Sequence, residues 1–76
     1  MVWTDYIGAD AGIVGGKPRI KGTRLSVEFI LELLAAGATE EYLIENYPGL
    51  SRAEILACVC YASHVTDRIR SFPLSA

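Results

Sequence analysis

Four residues, Tyr47-Pro48-Gly49-Leu50, separate two stretches of helical character, and no other feature limits the fold as tightly. Pro48 pushes Tyr47 away from helical backbone, and Gly49 breaks the chain further. Behind the break, Ser51-Arg52-Ala53-Glu54 has capping-box spacing. It predicts that Ser51 accepts from an amide of the first turn while Glu54 reaches back to the Ser51 amide. Ile55, Leu56, Val59 and Ala62 continue one apolar face to about His64. Ahead of the break, Thr39 opens a helix with Glu40 and Glu41 behind the cap. It runs to about Asn46 and is expected to bury Leu43 and Ile44 with help from Tyr47. Leu50, apolar inside a turn, is expected to plug the angle between the two helices. Residues 39–64 therefore match the helix-turn-helix plan.

An earlier helix is equally legible. Ser26 is a natural N-cap, and Glu28 lies where the helix dipole favours an acid. Val27, Ile30, Leu31 and Leu34 follow the i, i+3, i+4, i+7 pattern. Phe29 and Leu33 add a second apolar flank, so the helix is expected to be buried on more than one side. Gly37 ends it. Residues 1–25 carry strand and turn signals instead. Trp3, Tyr6 and Ile7 predict a strand over Val2–Ile7, and five of the seven glycines fall in this part. Pro18 extends Lys17, so Arg19-Ile20 reads as a second short strand and Lys21-Gly22 as a turn. Such a hairpin is barely stable alone and needs the helices or another chain. The expectation is a mainly α fold. A β arm and basic turn occupies 1–25, a bundle of three to four helices 26–70, and a tail 71–76. Thr66–Arg70 would form a further helical turn.

A chain of 76 residues buries only about 60% of the surface its unfolded form exposes. It needs a staple or a partner. Cys58 and Cys60 lie two apart in a helical stretch, point in different directions and cannot bridge each other. They read as small apolar residues, and reduced thiols fit a cytoplasmic protein. Hydrophobic residues make up 51% of the sequence. This predicts at least a homodimer, built through the first helix and the strands by Trp3, Tyr6, Ile7, Ile20, Leu25, Phe29, Ile30 and Leu33. Neither a signal peptide nor a membrane span is expected.

Net charge is −2, but the charges are segregated. Four of the seven basic residues, Lys17, Arg19, Lys21 and Arg24, fall within eight positions, and six of the nine acids lie between Glu28 and Glu54. If the second helix of the motif entered a major groove, Ser51, Arg52 and Glu54 would face base edges, with Arg52 forking onto guanine. Capping explains Ser51 and Glu54 equally well. The basic arm, with Thr23 inside it, could hold phosphates, or it could be a solvated hairpin edge protected by charge. Gly15-Gly16-Lys17 lacks the phosphate-loop spacing. His64 has no nucleophile near it, and Glu40, Glu41 and Glu45 read as a solvated face. No enzyme, metal site or cofactor is expected. DNA binding and pure protein interaction both stay open on the residues alone.

Gly16-Lys17-Pro18-Arg19-Ile20-Lys21-Gly22-Thr23-Arg24-Leu25-Ser26-Val27, then Leu31 to Gly37, then Tyr47-Pro48 and Leu50-Ser51, resemble a bacterial family of small antitoxin-like proteins. The family is catalogued as domain of unknown function 433 and often labelled VapB-like. The likeness spans roughly Tyr6 to Ala62. It implies a homeodomain-like helix-turn-helix behind a short β arm, and a dimer with N-terminal strands pairing between chains. It also implies a PIN-like nuclease toxin as partner and repression of the shared operon through operator DNA.

Overall fold

The computed structural model describes residues 1–9 and 16–68. A 3-10 turn at Trp3–Asp5 precedes two strands, β1 (Ile7–Ala9) and β2 (Pro18–Ile20). Three helices follow, α1 (Val27–Ala35), α2 (Glu40–Asn46) and α3 (Arg52–Arg68). The fold is mainly helical, with one small two-stranded sheet.

The strands pair antiparallel, with Ile7 opposite Ile20, Gly8 opposite Arg19 and Ala9 opposite Pro18. Three-residue strands cannot hold themselves, so the turn after β2 is tightly bonded. Gly22 takes a φ of 79°, open to glycine at little cost. The Thr23 hydroxyl donates to the Ile20 carbonyl at 2.9 Å and accepts from the Leu25 amide at 3.0 Å. The Ile20 amide donates to the Leu25 carbonyl at 2.9 Å, and Arg19 forms a bridge with Ser26. The chain after the turn thus lies along the far edge of β2.

Local chemistry sets the helix ends. The Ser26 hydroxyl accepts from the Phe29 amide at 3.0 Å, and the Thr39 hydroxyl from the Tyr42 amide at 3.1 Å. At the end of α1, the Gly37 amide donates to Leu34 and the Ala38 amide to Leu33, both at 3.0 Å, with Gly37 at φ 101°. This is a Schellman closure, and it turns the chain into α2 without leaving those carbonyls bare.

The core draws from both strands and all three helices. Ile7 and Ile20 come from the sheet, Val27 and Ile30 from α1, and Leu43 from α2. Leu50 comes from the turn, and Ile55, Ala57 and Cys58 from α3. Each fully buried aliphatic side chain contributes about 1.5–3 kcal/mol relative to exposure.

Several expectations are corrected. The strand does not start at Val2. The Asp5 amide donates to the Val2 carbonyl at 3.1 Å and the Tyr6 amide to the Trp3 carbonyl at 2.9 Å. That turn brings the Trp3 ring edge-on to Tyr61, with centroids 4.9 Å apart. Ile44 is 42% exposed, because seven-residue α2 reaches the core by one face only, through Leu43. Leu56 and Val59 are 38% and 47% exposed. The core face of α3 instead carries Ile55, Ala57 and Cys58, with Tyr61 packed beside it. Small side chains at 57 and 58 allow close approach of the elements packed on α3, which an apolar count does not register. Phe29 is also exposed, so α1 is not buried all round. The third helix does not stop near His64 but runs to Arg68, with the Thr66 hydroxyl donating to the Ala62 and Ser63 carbonyls at 3.0 Å. Residues 69–70 of the expected further turn lie outside the described residues.

Candidate functional site

The turn between α2 and α3 fixes the best-defined candidate. The Tyr47 amide donates to the Leu43 carbonyl and the Leu50 amide to the Tyr47 carbonyl, both at 3.0 Å, and Gly49 adopts φ 91°. Leu50 is buried under this turn, as its position in the sequence implies. Tyr47 packs edge-on against Phe29 at 5.6 Å, which ties the turn to α1. The start of α3 then projects Ser51 and Arg52 into solvent.

The polar groups there serve the fold first. The Ser51 amide donates to Glu54 Oε1 at 2.7 Å, as a capping box requires. The Ser51 hydroxyl also donates to Glu54 Oε1. It therefore points at the carboxylate as a donor rather than accepting a first-turn amide, so only half of the expected box forms. Arg52 Nε lies 3.3 Å from Glu40 Oε1, which pins the first turn of α3 to the first turn of α2. The Arg52 side chain remains 72% exposed, so this pair is weak and exchangeable with another partner.

The basic arm is similarly engaged. Lys17 Nζ sits 3.0 Å from Glu28 Oε1 across to α1. Lys21 Nζ donates to the Thr4 carbonyl at 2.8 Å, closing the hairpin over the 3-10 turn. Arg19 is half-buried in β2, and Thr23 is built into the turn. Arg24 is exposed on that turn. The sequence grouped the arm and the helix start as one set, but the structure gives most of these residues structural partners of their own.

Of the residues expected to join two chains, Ile7, Ile20 and Ile30 are buried in the core of the single chain and have no surface left for a partner. Trp3, Tyr6, Leu25 and Leu33 are half-buried around that core, and Phe29 is the exposed member. Cys58 is fully buried, and desolvation, with help from the nearby Glu54 charge, pushes its thiol up to about 11. Both cysteines are free. His64 lies beside the Trp3 ring, with centroids 5.4 Å apart. Among the described residues, no cluster of three metal-ligating side chains exists, and no helix is long and apolar enough to cross a membrane.

Sequence reasoning missed one feature. A cleft of about 440 Å³ opens between α1, β2 and α3, lined by Pro18, Val27, Leu31, Ala35 and Tyr61, with Lys17, Glu28 and Glu32 also on its wall. The spacing of Val27, Leu31 and Ala35 at successive turns was a signal for it. Val27 and Leu31 read equally well as ordinary core, and Ala35 falls outside the apolar face that Val27, Ile30, Leu31 and Leu34 define.

With arm, turn and helix pair in place, the chain can be set beside known proteins. Residues 7–62 match the family described as protein of unknown function (DUF433), and the chain belongs to that family. Among solved structures, it is similar to the crystal structure of a DUF433 member protein from Anabaena variabilis ATCC 29413, with a TM-score of 0.76 and 32% identity. The likeness covers 83% of this chain and 62% of that one, so this chain spans less than two thirds of its relative. No curated protein matches.

Proposed function

We propose that this chain is a non-enzymatic, antitoxin-type binding module. In this reading the α2–α3 pair, in a homeodomain-like arrangement, contacts operator DNA while another surface holds a protein partner. The model is the VapB-like antitoxins that oppose PIN-like nuclease toxins and repress their own operon. The observation that carries it is the helix pair with its four-residue turn, which leaves Ser51 and Arg52 exposed at the start of the second helix. Arg24, Lys17 and Lys21 add exposed cations that could meet phosphates once their weak internal pairs exchange. The module works as a homodimer in the cytoplasm, where two free thiols stay reduced.

Fluorescence anisotropy with labelled DNA from upstream of its own gene tests this reading. Arg52→Ala should weaken specific binding by about 1–3 kcal/mol. Lys21→Ala and Arg24→Ala should weaken binding to every sequence and lower its salt dependence. No binding at low salt would remove the DNA half of the proposal. A light-scattering mass of one chain at micromolar concentration would remove the dimer.

A second reading, a protein-interaction module without DNA contact, is favoured by the exposed Leu56 and Val59 on α3. A helix that reads bases in water would carry polar groups there. Charge reversal at Lys21 and Arg24 would then leave biological activity intact, while polar substitutions at Phe29 or Leu33 would abolish it.

A further inference from the structure

The cleft beside α1 has a shape and a charge that restrict what fits it. Val27, Leu31 and Ala35 follow one another along α1 at intervals of four residues, with Val27 buried at one end and Ala35 exposed at the other. The eight steps from Val27 to Ala35 rise about 12 Å, roughly two helical turns. Pro18 and Tyr61 form the opposite wall. Such a cleft accepts aliphatic or aromatic side chains, and its volume lies in the range of specific binding pockets.

A strand does not suit it. One edge of β2 is taken by β1, and the other by Leu25 and Ser26, through the Ile20 amide and the Arg19–Ser26 bridge. No main-chain edge of β2 remains for strand addition. A groove running beside a helix, walled by side chains, fits another helix laid along it. The rim adds a sign. Glu28 is matched by Lys17, whereas Glu32, one turn further, is exposed and has no ion-pair partner among the described residues. A second copy of α1 would bring its own Glu28 and Glu32 against this rim and be repelled.

Taking the antitoxin-type reading as its basis, we propose that this groove is the docking site for the protein partner. It takes an amphipathic helix whose apolar anchors fill the cleft and whose lysine or arginine meets Glu32. Leu31, Ala35 and Tyr61 grip the anchors, and Glu32 sets the direction in which the helix lies. The DNA-facing helix start lies outside the groove, so partner and DNA can be held together while Lys17, on the groove wall, stays with Glu28.

The test uses the full chain, co-expressed with the product of the adjacent gene and then titrated against it by calorimetry. Ala35→Arg blocks the exposed end and Glu32→Lys reverses the rim; both positions are exposed, so thermal melts should match the unaltered chain. Each should weaken binding by about tenfold or more, as central interface residues do. Glu45→Gln, exposed on α2 and outside the groove, should leave it unchanged. Unaltered affinity in Ala35→Arg overturns the groove but spares the antitoxin reading, and no binding by the unaltered chain overturns both. Two further results would give the groove another occupant and sink the proposal. One is a shift of the Leu31 and Ala35 amide resonances of the free chain on removing residues 69–76. The other is a dimer of the free chain that Ala35→Arg converts to monomer.

Discussion

The N-terminal hairpin with its turn supplies five of the eight candidate DNA contacts and the α2–α3 pair three, but the two regions are held by opposite means. The hairpin is mostly backbone bonding, three pairs of strand residues and a turn stitched by Thr23, with Ile7 and Ile20 as its anchors in the core. The helix pair is mostly side-chain work, with a capping threonine, a carboxylate reaching back to Ser51, and Leu43, Leu50 and Ile55 packed inside. In both regions several charged groups, Lys17, Lys21 and Arg52 among them, are tied loosely at the surface, while Leu56 and Val59 stand exposed on α3. A tally of basic residues therefore overstates how much of this chain is available to phosphates, and an apolar count understates how much is available to protein.

The comparison breaks most readily at its anchors. Ile20→Ala in the hairpin and Ile55→Ala in α3 remove side chains that are each 1% exposed, and both should destabilise by about 2–5 kcal/mol in urea unfolding. A much smaller loss for Ile20→Ala would make the hairpin an appendage rather than part of the core. High pH probes the helical half. The Cys58 thiol is raised from 9.0 to about 11 by burial, so folding favours its protonated form. That stability is fully present below pH 9, falls as pH rises between 9 and 11, and amounts to about 2 kcal/mol. Urea midpoints at pH 8 and pH 11 should differ less in Cys58→Ala than in the unaltered chain. The caps come next. Ser26→Ala and Thr39→Ala should each cost about 1 kcal/mol, and only Ser26→Ala should speed amide exchange in β2. The smallest effect belongs to the arm's own ion pair. Lys17→Ala should change stability by less than about 0.5 kcal/mol, because both partners are more than half exposed.

How much of this was legible depended on whether the signal was local. Ser26, Gly37, Thr39 and Pro48-Gly49 set their helix boundaries through bonds to near neighbours, and the sequence marks each of them. The Lys21-Gly22 turn and the Arg19-Ile20 strand are legible for the same reason. What stayed hidden depends on contacts distant in sequence. Trp3 sits in a 3-10 turn because it meets Tyr61, 58 residues away. Leu56 and Val59 are as apolar as Ile55, and only the packing of the other elements against Ala57 and Cys58 decides which of them face inward. Only one wall of the groove, Val27, Leu31 and Ala35, leaves a local trace, since Pro18 and Tyr61 on the other side share no pattern with it.

Ser26 joins the hairpin to the helical body, capping α1 with its hydroxyl and bridging Arg19 with its backbone. There is accordingly no hinge at the seam. The arm cannot swing out or fray without unwinding the first turn of α1, and that turn holds Val27 and Ile30 in the core. Protection against hydrogen exchange should thus be shared across the seam, with the Ile20 amide opening in the same cooperative step as the helix. A protease would find no early cut between residues 20 and 26, and any partner that grips the arm also grips the bundle.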